Sequence, residues 1–107
     1  MARYLITWSS NPVAPWPTDP SEHLKLNETM WAGIDDLMKK GEVKEFGLFL
    51  DGKSGYAIGE GDGATVFKDV SMFGAYYDLK VEEIIPFEKA KEIIRGLYKA
   101  RMQAARK

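Results

Sequence analysis

The chain has 107 residues, of which 45% are hydrophobic and 29% are charged, as expected for a single globular domain. Fifteen Lys and Arg residues against 16 Asp and Glu residues leave a net charge of -1, which excludes both a chain that is basic overall and a strongly acidic disordered one. The absence of cysteine excludes a disulfide framework, a thiolate nucleophile and a Cys-based metal site. Because His23 is the single histidine, we expect no metal and no cofactor.

The first predicted element is a β-strand over residues 3–9, where aromatic and β-branched residues favour extended backbone. Residues 9–20 hold four of the five prolines and predict a long, stiff loop, because proline disrupts helices and lacks a backbone donor. The apolar run at the N-terminus is too short for a signal-peptide core, and no window approaches the ~18–20 apolar residues that cross a bilayer. We therefore expect a cytoplasmic, soluble protein with no membrane partner.

A first helix is predicted over residues 21–40. Asp19 is a candidate N-cap, Pro20 suits the first helical position, and Glu22 lies three residues after the cap. Gly41 is the predicted stop. The apolar positions that recur with helical spacing are Met30, Trp31, Ile34, Leu37 and Met38.

Two further strands are predicted over residues 43–50 and 56–60. Asp51-Gly52 lies between them, and this dipeptide between two apolar runs indicates a β-hairpin. The last three predicted elements are a second helix over residues 63–76, a strand over residues 79–85 and a third helix over residues 87–105. The residues predicted to lie on the buried side of the third helix are Ala90, Ile93, Ile94, Leu97 and Tyr98.

The order βαββαβ, followed by an extra helix, predicts an α+β fold of the ferredoxin-like type, with a four-stranded antiparallel sheet. The whole chain, residues 1–107, is then one domain, with its core over about residues 3–86 and a C-terminal helix over about residues 87–105. This class of fold covers one face of the sheet with helices and leaves the other face open.

Both faces of the predicted sheet carry apolar side chains. Leu5 projects opposite to Tyr4 and Ile6 in the first strand. In the second strand, Phe46, Leu48 and Leu50 share one face, and Val43 and Phe49 share the other. Because a sheet with one solvated face should alternate apolar and polar residues, we expect a second copy to cover the open face and form a homodimer.

The chain resembles the dimeric α+β barrel proteins over about residues 3–95, and in particular the YciI-like, muconolactone isomerase-like and antibiotic-biosynthesis-monooxygenase groups. The resemblance rests on the layout, on the run GYAIGEGD at residues 55–62 before the second helix, and on the strand over residues 81–86 that ends in proline. It implies a homodimer formed by two sheets packed face to face, a dimeric α+β barrel. It also implies a small-molecule cavity between the sheet and the helices of each subunit.

No catalytic motif of these groups carries over. The YciI-like proteins are associated with a His–Asp pair near the start of the chain, and the first strand here has neither residue. The haem-degrading relatives need a histidine on a helix that faces the sheet, whereas His23 lies before or in the first turn of the first helix. The resemblance therefore implies no particular reaction.

Aromatic residues are the candidate ligand-binding groups. Trp8 ends the first strand, and Trp16 lies between two prolines, so they are candidates for a wall and a lid of an apolar pocket. Tyr4 and Trp31 are the further candidates for its lining. The alternative is that Trp31 belongs to the core and that Trp16 only fixes a long loop.

The candidate proton-transferring residues are His23, Glu60 and Tyr76. His23 has the side chain whose unperturbed pKa lies near neutrality, Glu60 is two residues from a second carboxylate, and Tyr76 is placed at the end of the second helix. If the protein is an enzyme, we expect cofactor-independent isomerisation or oxygenation of an aromatic or hydrophobic metabolite. The alternatives are a cap-associated His23 and a solvent-facing Glu60.

Charge is unevenly distributed along the chain. Residues 87–107 contain seven basic and two acidic side chains, a balance of +5, so residues 1–86 carry -6. Cations are favourable near a helix C-terminus, and the net charge of the whole chain does not favour nucleic acid as a partner. The alternative function is a non-catalytic binding or assembly module that uses the sheet face and this basic helix.

Overall fold

A computed structural model describes residues 2–106. In chain order, the elements are β1 (Ala2–Ser10), α1 (Pro20–Lys39), β2 (Val43–Leu48), β3 (Ser54–Gly61), α2 (Gly63–Ser71), β4 (Tyr77–Ile84) and α3 (Phe87–Ala105). The four strands form one antiparallel sheet in the order β2-β3-β1-β4. The predicted α+β class and four-stranded antiparallel sheet are confirmed, and this layout is compatible with a ferredoxin-like arrangement.

The central strand β1 sets the two faces of the sheet. Ile6 is opposite Ala57 of β3 on the face covered by α1 and α2, whereas Leu5 is opposite Ile58 on the open face. The buried core lies between the sheet and these two helices. Its buried apolar residues are Ile6, Leu37, Val43, Ala57 and Val66.

A β-bulge in β2 changes the predicted facing of its residues. The register of β2 against β3 shifts between Val43 and Glu45, so Val43 lies opposite Gly59 and Phe46 lies opposite Ala57. Both side chains therefore face the helices, and Val43 is buried in the core. The expectation that Val43 faces away from Phe46 was wrong, because a strict two-residue alternation ignores the extra residue of a bulge.

The open face of the sheet carries both apolar and charged side chains. Leu5 and Ile58 form an apolar pair at its centre, and both side chains are partly exposed. Charged side chains surround this pair. They form the ion pairs Arg3–Glu60 and Lys80–Glu82.

The ends of α1 follow from the sequence. Asp19 accepts a hydrogen bond from the backbone N–H of Glu22, and Pro20 occupies the first helical position. Gly41 adopts a φ of 78° directly after the helix, a backbone conformation that favours glycine. The predicted cap and stop of this helix are both confirmed.

Helix α2 is shorter than predicted. It begins at Gly63, where Asp62 accepts a hydrogen bond from the backbone N–H of Thr65, but it ends at Ser71 rather than at residue 76. Tyr76 lies in the turn after α2, and Tyr77 is the first residue of β4. The apolar spacing of Phe73 and Tyr77 therefore continued the helical pattern beyond the end of the helix.

Helix α3 projects from the rest of the molecule. The radius of gyration is 19.2 Å and the longest dimension is 72 Å, whereas a compact chain of this length has a radius of about 13 Å. No other element in residues 2–106 packs along α3, and none of its residues is buried. Its large apolar side chains that are more than half exposed are Phe87, Ile93, Ile94, Leu97, Tyr98 and Met102. The bounds of this helix are as predicted, but its apolar side is not buried within the subunit.

Candidate functional site

A cavity of about 160 Å³ lies between the sheet and helices α1 and α2. Its lining is mainly apolar and aromatic. The large apolar and aromatic side chains that line it are Ile6, Trp8, Met30, Trp31, Ile34, Leu37, Val43, Phe46, Val70, Phe73, Tyr77 and Leu79. Three of the residues around it, Trp31, Leu48 and Gly52, are exposed, so the cavity reaches solvent between α1 and the β2–β3 hairpin.

The small residues of β3 explain why there is space above the sheet. Gly55, Ala57 and Gly59 all point toward the helices, and all three are buried. Trp8 covers Gly55, and the Cδ1 atom of Ile6 would lie 3.2 Å from a Cβ atom at Gly59. A strand with larger side chains at these positions would fill the space that α1 and α2 enclose.

Two of the four predicted ligand-binding residues line this cavity. Trp8 stacks on Phe46 with 5.6 Å between ring centroids, and its indole N–H is buried without a hydrogen-bond partner among the described residues. Trp31 contributes to the wall formed by α1 and is 51% exposed. The two tryptophans thus bring flat apolar surfaces to the cavity.

Asp69 of α2 is the acidic residue in the cavity wall, and it is only 6% exposed. Burial, together with the hydrogen bond and the like charge of Glu42, raises the pKa of the carboxyl group to about 6. Two facing carboxyl groups form such a hydrogen bond by sharing a proton. No Lys or Arg of residues 2–106 forms an ion pair with either residue.

Sequence reasoning missed Asp69, although its position gave a signal. The apolar stripe of the predicted second helix contains Val66, Val70 and Phe73, and Asp69 lies three residues after the first and four before the last. Residues with this spacing share one face of a helix, so Asp69 is an acid within an apolar stripe. A carboxylate in this position is either paired in the core or functional.

A second aromatic cluster lies next to the cavity. Trp16 packs against Tyr76, Tyr77 and His23, with ring centroids 4.9 Å, 5.5 Å and 5.3 Å away. Its indole N–H donates a hydrogen bond of 2.7 Å to the carbonyl oxygen of Asn11. Trp16 therefore holds the long loop in place, and the cluster contacts the cavity through Tyr77, which belongs to both. Burial raises the pKa of Tyr77.

The structure does not bring the three predicted proton-transferring residues together. His23 and Tyr76 both contact Trp16 near the end of β1. Glu60 lies on the open face near the beginning of β1, where Arg3 donates it a hydrogen bond of 2.9 Å and lowers its pKa. Because Arg3 and the last residue of β1 are seven positions apart, these two places are separated by about 23 Å along the strand.

Tyr4, the fourth predicted ligand-binding residue, packs against the buried core but does not line the cavity. Within residues 2–106, no group of three or more His, Cys, Asp or Glu side chains is arranged to hold a metal ion. The same residues include no helix long and apolar enough to span a bilayer.

No protein-family model matches the chain, and no curated protein is significantly similar to it.

Proposed function

We propose that the protein is a homodimer that binds a small organic molecule in the apolar cavity between the sheet and the helices. The observation that carries this proposal is the cavity itself, whose mainly aromatic and apolar wall includes the buried carboxyl group of Asp69. Ligand sites are typically apolar concavities with a few convergent polar groups. A cavity that is only a packing defect is expected to have a purely apolar lining.

The size of the cavity limits the ligand. Its volume of about 160 Å³ is close to that of an engineered protein cavity of about 150 Å³ that binds benzene. The ligand is therefore a single-ring compound or an aliphatic molecule of similar size. Flat rings match the walls that Trp8, Phe46 and Trp31 provide.

Titration with toluene and phenol, followed by amide chemical shifts, tests binding. We expect saturable shifts at cavity residues such as Ile6, Val70 and Leu79. The matched control is Ala57→Val, which adds two methyl groups at the floor of the cavity and keeps a residue that favours strands. The proposal fails if neither compound shifts the cavity residues, or if the folded Ala57→Val variant binds as well as the parent.

We further propose that the fold is ferredoxin-like and that two subunits associate as in a dimeric α+β barrel. The element order, the two helices on one face of the sheet and the Leu5–Ile58 pair on its open face support this assignment. Ile84 opposite Arg3, and Phe49 stacked on Tyr56, add to the apolar part of that face, and the ion pair between Arg3 and Glu60 lies among them. The open sheet alone, with charged residues among its apolar ones, would therefore provide only part of an interface.

Helix α3 supplies the additional surface that a dimer needs. Its six exposed large apolar side chains present on the order of 600 Å² together, and a stable interface buries about 800 Å² per partner. Residues 87–107 carry +5 and residues 1–86 carry -6. A second copy of the chain therefore offers a surface of opposite charge for this helix.

Sedimentation velocity over the micromolar range tests association. We expect a species with the mass of two chains. A single-chain species at all concentrations overturns the homodimer and leaves the cavity proposal standing. If the protein assembles but binds no small molecule, the assembly-module function replaces ligand binding.

If the bound molecule is also converted, we propose that Asp69 handles the proton. Asp69 and Tyr77 both combine a displaced pKa with a place in the cavity wall, but the pKa of Asp69, about 6, is the one near neutrality. His23 and Tyr76 reach the cavity only through the aromatic cluster. Cofactor-independent isomerisation or oxygenation of an aromatic or hydrophobic compound is the reaction class that needs such a group. Turnover that survives in Asp69→Asn would exclude this role.

A further inference from the structure

The buried acid of the cavity lacks a positively charged partner. Asp69 is 6% exposed, and no Lys or Arg in residues 2–106 pairs with it or with Glu42. Lys68 and Lys40 are close enough to lower the pKa of Asp69, but neither forms an ion pair with it, and the ammonium group of Lys40 lies 3.0 Å from Asp36 on the exposed surface of α1. At least one negative charge beside the apolar cavity therefore has no direct ion pair at neutral pH.

An uncompensated buried charge is unfavourable unless a ligand or partner neutralises it. Even when Asp69 and Glu42 share one proton, the pair keeps a net negative charge. The buried Oδ1 atom of Asp69 and the buried Oε2 atom of Glu42 receive no hydrogen bond from another described residue, so only the shared proton satisfies them. A ligand with a positively charged N–H group at the cavity wall would supply the charge that the pair lacks.

The aromatic walls favour the same kind of ligand. Trp8 and Phe46 stack with only 6° between their ring planes, and Phe73 and Tyr77 line the same cavity. The faces of aromatic rings attract cations, more strongly where water is excluded. A flat cation therefore gains from the walls as well as from the carboxylate.

We infer that the cavity binds a compact aromatic molecule that carries a protonated nitrogen base, whose charged N–H group donates a hydrogen bond to the carboxylate of Asp69. This inference rests on the proposed small-molecule function and names the chemical class of its ligand. A neutral ring of the same size would leave the carboxylate without a partner. An aromatic carboxylate would place a second negative charge beside it.

Three probes of nearly equal size and different charge test this inference. Benzamidine is cationic, benzamide is neutral and benzoate is anionic at about pH 7.5. We expect benzamidine to bind at least about tenfold more tightly than benzamide and benzoate to bind most weakly, as measured by amide chemical shifts and calorimetry. If benzamide or benzoate binds as tightly as benzamidine, the cation preference is overturned while ligand binding stands. If none of the three, and neither toluene nor phenol, shifts the cavity residues, the proposed function itself fails.

Two substitutions connect the preference to Asp69. Asp69→Asn removes the charge with little change in shape, and we expect it to reduce benzamidine affinity at least about tenfold and benzamide affinity far less. Asp35→Asn removes the same charge from an exposed position of α1 that forms no ion pair among the described residues, and it should leave both affinities unchanged. Equal loss of benzamidine affinity in the two variants would mean that only the overall charge of the protein attracts the cation. If Asp69→Asn does not fold, the order of the three probes on the unmodified protein still decides the inference.

Discussion

Trp8 of β1 lies directly across Gly55, its partner on β3. A Cβ atom at Gly55 would be 2.7 Å from the Cε2 atom of the Trp8 indole, and it would also collide with the indole Cζ2 atom and the carbonyl oxygen of Gly47. The absence of a side chain at this position lets the indole lie flat over the sheet. Gly55 thereby sets the orientation of one wall of the cavity.

Gly55→Ala should destabilise the fold by about 1–3 kcal/mol, because the methyl group must displace the indole or the backbone of β2. Urea unfolding measures this loss. Gly96→Ala is the matched control, since nothing in residues 2–106 lies within 4 Å of a Cβ atom there. At this helical position alanine should cost nothing and should favour the helix by about 1 kcal/mol. Equal stability of the Gly55→Ala and parent proteins would mean that Trp8 does not depend on this glycine.

Asp69 should make stability fall as pH rises. Its pKa is raised in the folded protein from 3.8 to about 6, so its favourable contribution is complete below about pH 4 and is lost as pH rises through about 6. Asparagine does not ionise, so Asp69→Asn should not show this decrease in stability with pH. Its free energy of unfolding should exceed that of the parent by about 1–3 kcal/mol near pH 7.5 and by less near pH 4. Urea unfolding at a series of pH values measures the two curves.

Asp35→Asn is the control for that series, because it removes an exposed carboxylate of α1 that forms no ion pair among the described residues. We expect it to change stability by less than about 1 kcal/mol at any pH. A constant difference between Asp69→Asn and the parent across the series would contradict the raised pKa. An acid that lowers stability at neutral pH is typical of residues kept for function.

The parts of the fold that local sequence determines were predictable. The N-cap Asp19, the stop Gly41 and the hairpin at Asp51-Gly52 each depend on a few neighbouring residues, and the structure confirms them. The end of α2 was wrong because Phe73 and Tyr77 kept a helical spacing although the first lies in the turn and the second in β4. Periodicity identifies a face, but it does not identify where the backbone leaves the helix.

The cavity was harder to predict than the elements around it. Its volume depends on Gly55, Ala57 and Gly59 lying side by side with β1, which only the register between strands determines. Asp69 and Glu42 come together from α2 and the turn before β2, so no local motif joins them. Trp8 and Trp31 were within reach of sequence reasoning because they are large aromatic residues on predicted inward faces.

Trp16→Ala should loosen the loop between β1 and α1 without unfolding the protein. The substitution removes the ring that packs on Tyr76, Tyr77 and His23 together with its hydrogen bond to Asn11. We expect a loss of about 2 kcal/mol in stability, faster amide exchange in residues 11–19 and weaker binding of an aromatic ligand, because Tyr77 also lines the cavity.

Trp16→Phe separates the two contributions of that tryptophan. Phenylalanine keeps an aromatic ring in the cluster but cannot donate to the carbonyl oxygen of Asn11. If packing on Tyr77 supports the cavity, Trp16→Phe should keep most of the ligand affinity that Trp16→Ala loses. Unchanged ligand affinity in Trp16→Ala would show that the aromatic cluster acts only on the loop.

The exposed face of α3 gives a direct test of the homodimer. Ile94 and Leu97 are both more than half exposed in the single subunit, so replacing them with glutamine should leave subunit stability nearly unchanged. In a dimer that buries them, each replacement costs about 1.5–3 kcal/mol of association free energy. The dissociation constant of the dimer should therefore be at least about 100-fold higher in the Ile94→Gln/Leu97→Gln variant than in the parent. Sedimentation velocity measures the shift. Lys99→Gln, on the opposite side of the same helix, is the control and should leave association unchanged. If the double variant associates as the parent does, α3 is not part of the interface.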